Sequence, residues 1–257
     1  MFVDTHAHLE DEKLIKNIDE ILLDAYNNGV EKIVCASYDL ASSQLATQIS
    51  DTYQNVYATI GVHPHDAKTY TKETEQTLIQ LSKNKKVVAV GEIGLDYHYD
   101  LSPRDIQKQV FEKQILLAYK LGLPIVIHMR EATQDTLEIL EKNKQYIIRA
   151  VLHCFNGSKQ TLDKIMSMGF YVSYGGAVTF KNANGLLDIV KATPLDRIML
   201  ETDCPYMTPV PYRGQPNMPK YIPLVAEKIC ELKNISINQL QEITTKNAEK
   251  FFNLTQK

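Results

Sequence analysis

The sequence predicts an α/β fold, a (β/α)8 TIM barrel in a single domain with an additional C-terminal helix, and three observations predict it. Short strand-like runs alternate with helix-like segments from end to end. The strand-like runs are apolar throughout rather than alternating, the mark of strands buried on both faces in a parallel sheet wrapped by helices. These two observations suit a barrel and a doubly wound open sheet equally. The third favours the barrel: of seven histidines, all but His98 lie in or just beyond the end of a strand candidate. A barrel gathers those ends on one rim, where barrel enzymes keep their active sites, whereas an open sheet spreads them along an edge.

The strand candidates are residues 2–5, 32–36, 56–61, 87–91, 124–128, 150–153, 171–174 and 197–201. Between them apolar residues recur at helical spacing, as in Leu14, Ile15, Ile18, Ile21, Leu22 and Ala25, or Phe111, Ile115, Ala118 and Leu121. A shorter stretch carries Leu137, Ile139 and Leu140, and one more helix is expected over 237–252. Gly29, Gly122 and Gly169 stand where helices should stop before the next strand. Ser102-Pro103-Arg104-Asp105 resembles an N-cap followed by proline at the first helical position and an acid at the third. No repeat, low-complexity tract or linker interrupts the pattern, so one domain over 1–257 is expected.

Composition bounds the rest. With 44% hydrophobic and 23% charged residues, the chain can bury a large core and is not disordered. A net charge of −3 excludes an extended, sequence-independent nucleic-acid coat but leaves room for a local basic patch. No apolar run approaches the roughly 18 residues of a membrane helix. A signal peptide is not expected, since a charged n-region is missing and His6 and His8 belong to the candidate site. Cys35, Cys154, Cys204 and Cys230 form no C-x-x-C pair, so neither disulfides nor a zinc knuckle are expected, and a cytoplasmic location is.

The histidines carry the chemistry. In Asp4-Thr5-His6-Ala7-His8 the two imidazoles are two apart, so on a strand they share a face and can reach one metal ion. An H-x-H alone is as readily a polar turn; what changes the reading is its company. Glu92 ends the fourth strand candidate between glycines, and His128 and His153 each end an apolar run. On the eighth, Glu201 and Asp203 share a facing, so parity cannot choose between them; Asp203 lies nearer the rim. His63 ends the third and suits a phosphate contact, protonation of a leaving group or a hydrogen bond to a ligand. Arg130, two residues after His128, can fork onto phosphate. Arg213 and Lys220 follow the last strand, with a solvated surface role as the alternative. Tyr97, Tyr99 and Tyr206 are candidates for stacking on bases. Cys154 and Cys204 adjoin ligand candidates at odd spacing and read as packing residues.

Seven stretches, in order across nearly the whole chain, carry a resemblance. They are Asp4-Thr5-His6-Ala7-His8, Gly61-Val62-His63-Pro64-His65, Gly91-Glu92-Ile93-Gly94-Leu95-Asp96-Tyr97 and Ile127-His128-Met129-Arg130-Glu131-Ala132. They continue with His153-Cys154-Phe155-Asn156-Gly157-Ser158, Glu201-Thr202-Asp203-Cys204-Pro205-Tyr206 and Pro209-Val210-Pro211-Tyr212-Arg213-Gly214. Together they resemble the TatD family of metal-dependent hydrolases, a branch of the amidohydrolase-like barrels. The resemblance implies a barrel with metal ligands at His6, His8, Glu92, His128, His153 and Asp203, and deoxyribonuclease activity, often as an exonuclease on single strands. One departure stands out. Where many relatives carry two basic residues and then Asn-Glu-Pro, this chain reads Gln215-Pro216-Asn217-Met218-Pro219, with less positive charge.

Four imidazoles and two carboxylates exceed the three protein ligands of one open catalytic metal. Two divalent cations are therefore expected, His6, His8 and Asp203 on the first, His128 and His153 on the second, and Glu92 on both. Lys85 and Lys86 precede the fourth strand, too early for a carboxylated lysine to replace Glu92. A hydroxide held by both ions would attack phosphorus in line, with Asp203 orienting or deprotonating the water. Imidazole-rich ligation favours zinc, manganese or iron over magnesium, whereas the carboxylates and a phosphate substrate permit magnesium. The expected function is a metal-dependent phosphodiester hydrolase, a deoxyribonuclease acting as an exonuclease on single-stranded DNA. It needs no membrane and no obligatory protein partner. The alternative is a hydrolase of amide or ester bonds in small molecules or acylated nucleic acids. A metal-holding binding protein without turnover is the reading from another class.

Overall fold

The computed structural model describes residues 1–254, and a strand forms at each of the eight predicted places. They are β1 (Phe2–Ala7), β2 (Val30–Cys35), β3 (Val56–Ile60), β4 (Val87–Asp96), β5 (Ile125–Arg130), β6 (Ala150–Leu152), β7 (Tyr171–Tyr174) and β8 (Ile198–Leu200). They form one sheet in the order β1-β2-β3-β4-β5-β6-β7-β8. Each strand is followed by its helix: α1 (Ile18–Asn27), α2 (Leu40–Thr52), α3 (Lys72–Leu81), α4 (Arg104–Leu121), α5 (Thr133–Lys142), α6 (Lys159–Ser167), α7 (Asn184–Ala192) and α8 (Ile222–Lys233). The extra helix α9 spans Ile237–Phe252, giving a (β/α)8 barrel with a C-terminal addition. No helix among the described residues is long and apolar enough to cross a membrane.

The helices form for local reasons and stay for tertiary ones. Ser236 caps α9 by accepting the Gln239 N–H, while Gln239 reaches back to the Ser236 N–H. Helix α4 buries Val110, Phe111, Ile115, Leu117 and Ala118. The large ones contribute roughly 1.5–3 kcal/mol each. It ends at Gly122, whose φ of 71° is the left-handed cap the sequence predicts. The start of α4 differs from expectation. Pro103, not Ser102, is the cap residue, because the Ser102 hydroxyl donates to His65 O at 2.7 Å and accepts the Lys68 N–H.

The contacts group the chain into two compact units. One holds Met1–Cys35, Cys154–Met166 and the chain from Tyr171 onward, hence β1, β2, β7 and β8; the other holds Ala36–His153 and Ser167–Phe170, hence β3 to β6. In the first, the opening and closing strands of the chain meet. Ala7 bridges Cys204 in parallel, His8 N donates to Cys204 O and Asp203 N donates to His6 O, both at 2.8 Å. Beneath that seam Thr5 Oγ1 donates to Leu200 O, and Thr202 donates to Asp4 from both its N–H (3.0 Å) and its hydroxyl (2.6 Å).

In the second unit β4 runs to Asp96, well past the predicted end, paired with β5 up to Asp96–Arg130. Its register slips between Val90 and Ile93, around Gly91 and Glu92. Such a bulge re-aims a side chain next to a site. Gly94 permits the pairing: its φ is 141°, and a Cβ there would lie 2.0 Å from His128 O. Gly94→Ala should therefore lower the unfolding free energy by roughly 2–4 kcal/mol. Gly122→Ala, with nothing within 4 Å of the added atom, should cost about 1 kcal/mol for its positive φ alone. Denaturant unfolding of the two variants checks this; equal losses would show that β4 and β5 do not need the close approach.

Candidate metal centre

In the first unit, His6 lies on β1 and His8 just past its end; both are buried, with ring centres 5.1 Å apart. The third ligand candidate arrives by the β1–β8 seam. Asp203 follows β8 by three residues, at a left-handed φ of 56°, and its N–H is tied to His6 O. Its Oδ1 lies 3.7 Å from His6 Nε2 and 3.4 Å from His8 Nε2. The ligand atoms of these three residues lie within 4.8 Å of one another, a spacing one cation can span. Glu201, the rival acid, accepts the Cys154 N–H at 2.6 Å and the Ser173 hydroxyl. Burial disfavours an imidazolium at His8, but the Asp203 and Glu10 carboxylates outweigh it and hold the His8 pKa well above the usual value. A divalent cation can replace such protons.

In the second unit, Glu92 is the centre. Its Oε1 lies 2.8 Å from His153 Nε2 and 2.9 Å from His128 Nδ1, and these two nitrogens are 3.3 Å apart. Burial penalises the carboxylate, yet His153, His63 and His128 around it hold its pKa well below the carboxylate range. Two imidazole nitrogens and a carboxylate oxygen converging this closely are a donor set for a borderline divalent cation.

His128 offers Nδ1 because its other nitrogen is taken. Nε2 lies 2.8 Å from Asp96 Oδ2, and Asp96 is fully buried. Asp96 Oδ1 accepts the N–H groups of His98 (3.0 Å) and Tyr99 (2.8 Å), and Oδ2 also faces His65 Nε2 at 3.1 Å. Burial works against this carboxylate too, but the His128 and His65 contacts keep its pKa well below normal. Gln107 pins the backbone of Asp96 from both sides. Carboxylates behind metal-ligating histidines fix the tautomer and raise ligand basicity.

His63 lies 3.5 Å from Glu92 Oε1 through Nε2 and falls within ligand spacing of Glu92 and His128. Its tautomer assigns a different role. His63 Nδ1 accepts the His65 N–H at 3.1 Å, so the neutral ring carries its proton on Nε2 and faces Glu92 as a donor. Burial and the nearby His128 charge lower its pKa to about 4, so at neutral pH it acts as an uncharged donor rather than a charged acid.

The remaining candidates divide. Arg130 ends β5, exposed, with its guanidinium 4.8 Å from the ring centre of exposed Tyr99. Tyr97 is engaged, donating to Asp135 at 2.6 Å under the Arg104 guanidinium. Arg213 donates to Thr208 O at 3.0 Å and lies over Phe180, and Lys220 pairs with Asp24 at 2.7 Å. Tyr206 is exposed, with its ring edge-on to His8. Cys204 is buried, Cys154 half-buried, and none of the four cysteines is in a disulfide. His98, outside the strand-end set in the sequence, sits two residues beyond the true end of β4 and pairs with Glu131 at 2.7 Å.

Sequence reading did not single out Glu10 or Asp96, the carboxylates behind His8 and His128. The available signal was an acid two residues after the H-x-H, and another at the end of Gly91-Glu92-Ile93-Gly94-Leu95-Asp96. Asp96→Asn should weaken zinc or manganese binding by the Glu92 cluster roughly 10–100-fold. Competition with a chromogenic chelator measures it, and wild-type affinity in the folded variant would remove Asp96 from the centre.

The family model for TatD related DNase matches residues 3–253. An uncharacterized metal-dependent hydrolase of Bacillus subtilis, YabD, is 44% identical over 254 residues, 99% of this chain and 100% of the relative. The 3'-5' ssDNA/RNA exonuclease TatD of Citrobacter rodentium is 31% identical over 99% of this chain and 98% of its own. The crystal structure of the TatD homologue YJJV from Escherichia coli superposes with a TM-score of 0.93 at 29% identity, covering 99% of this chain and 98% of that one. With its (β/α)8 fold and its strand-end histidines and carboxylates, this chain belongs to the TatD family of metal-dependent hydrolases.

Proposed function

We propose that the protein is a deoxyribonuclease that trims single-stranded DNA as an exonuclease, with His6, His8 and Asp203 holding one divalent cation and Glu92, His128 and His153 a second. The observation that carries this reading is the pair of donor sets, each of three nitrogen and oxygen ligands gathered within one unit. Relatives named as 3'-5' ssDNA/RNA exonucleases support the substrate class. Imidazole-rich ligation favours zinc or manganese, and the carboxylates also admit magnesium. Cysteines that form no disulfide suit a cytoplasmic enzyme.

Bound divalent cations supply Lewis acidity toward a phosphoryl oxygen and lower the pKa of water. The side chains supply the rest. Asp203 Oδ1 faces the two histidines, and the same carboxylate orients water and takes its proton. His63 offers its Nε2–H to an oxygen of the scissile group. Arg130 receives a phosphate, and the exposed Tyr99 ring beneath it accepts a base face. Hydrolysis of an amide or ester is the second reading, and the loop after β8 favours it. Residues 215–219 hold no cation, Asn217 is spent bonding Thr202 O and Tyr206 O, and Arg213 is tied to Thr208.

Metal-reconstituted protein assayed on 3′-labelled single-stranded DNA beside acyl substrates separates these readings; cleavage of acyl substrates alone would overturn the first. Asp203→Asn should keep the fold and most of the metal yet lose turnover by about 10²-fold or more. Glu92→Gln should lose at least one equivalent of metal together with activity. Metal analysis and initial rates on both variants test the assignment, and near-normal turnover in Asp203→Asn would remove it as the base. Arg130→Ala should raise KM for DNA at unchanged metal content; unchanged kinetics at moderate salt would make Arg130 a surface residue.

A further inference from the structure

We propose that Glu10 is a positioning residue that fixes His8 with Nε2 toward the first cation, and that the Cys35 thiol holds Glu10 in that role. The inference rests on the reading that His6, His8 and Asp203 hold a cation, and it extends that site to two residues outside the ligand set. Glu10 follows His8 by two residues, beyond the end of β1, and is buried at 7% exposure. Its Oε1 lies 3.2 Å from His8 Nδ1, while its Oε2 accepts the Cys35 thiol at 3.0 Å. Cys35 is the last residue of β2 and is fully buried.

His8 thus stands between two carboxylates, Glu10 on Nδ1 and Asp203 on Nε2 at 3.4 Å. An ionised carboxylate only accepts, so Nδ1 carries a proton toward Glu10. A neutral ring with that proton on Nδ1 has its lone pair on Nε2, aimed at Asp203 and the ligand cluster. Without Glu10 the opposite tautomer becomes available, and that tautomer cannot ligate through Nε2. The thiol completes the set. Buried Oε2 needs a donor, since an unpaired buried acceptor costs about 1–3 kcal/mol. Burial and the Glu10 charge both raise the Cys35 pKa well above the thiol range, so the sulfur keeps the proton it donates. Cys35 is in this reading a hydrogen-bond donor and not a redox or nucleophilic group.

The test compares Glu10→Ala, Glu10→Gln, Cys35→Ser and Cys35→Ala with His8→Ala, all metal-stripped and refilled with zinc. Chelator competition should show one of two zinc affinities falling roughly 10–100-fold in Glu10→Ala, with the other unchanged. Glu10→Gln, equal in shape and able to accept through its amide oxygen, should fall less. Cys35→Ser should stay near wild type, and Cys35→Ala should reproduce part of the loss. Nitrogen-15 histidine spectra of the zinc form supply a readout that simple destabilisation would not move. The protonated His8 Nδ1 resonance of the wild type should be lost or shifted upfield in Glu10→Ala. If His8→Ala loses one zinc while Glu10→Ala and Glu10→Gln keep wild-type affinity and an unchanged His8 spectrum, the positioning role is wrong. If His8→Ala itself keeps both zinc ions, the reading of the site fails instead.

Discussion

Burying imidazoles and carboxylates at the ends of apolar strands is the constraint on which the rest of this structure depends. An unpaired charge taken out of water costs several kcal/mol, and an unpaired polar group about 1–3 kcal/mol. Here the burden is met by outer carboxylates. Glu10 stands behind His8, Asp96 behind His128 and His65, and Asp4 carries the Thr202 contacts beneath the β1–β8 seam. These partners belong to segments adjoining the candidate ligands.

The backbone beyond the strands is shaped to the same end. Glu131, Cys154 and Asp203 follow β5, β6 and β8 closely, and all three adopt a positive φ, between 46° and 56°. For residues with a side chain such conformations cost of order 1–3 kcal/mol each and persist only where surrounding structure over-determines them. At Asp203 the reason is visible. Its N–H is held by His6 O while its carboxylate faces His6 and His8, so the left-handed turn serves both bonds at once.

How much of this was legible in the sequence follows from the range of each interaction. The eight strands were legible because burial on both faces leaves a continuous apolar run, and α9 because a helix is built from local contacts. The end of β4 was not. Gly91-Glu92-Ile93-Gly94 closes the strand candidate, whereas the strand runs on to Asp96 because Gly94 lets β5 approach closely: a Cβ there would meet His128 O. That one misplaced boundary hid Asp96 and left His98 outside the strand-end pattern. Glu10 was hidden for another reason. In Leu9-Glu10-Asp11-Glu12 it reads as one of several surface acids, and only the pairing of β1 with β2 brings Cys35 to it. The family's loop after Arg213 was legible as a departure in charge, but the burial of Asn217 against Thr202 and Tyr206 depends on tertiary folding.

The central claim is that six side chains hold two cations, and anomalous scattering from crystals of the zinc- or manganese-loaded protein tests it most directly. The account predicts two peaks per chain, one within roughly 2.0–2.3 Å of donor atoms from His6, His8 and Asp203 and the other equally close to Glu92, His128 and His153. A single peak, or peaks ligated by other residues, would contradict it.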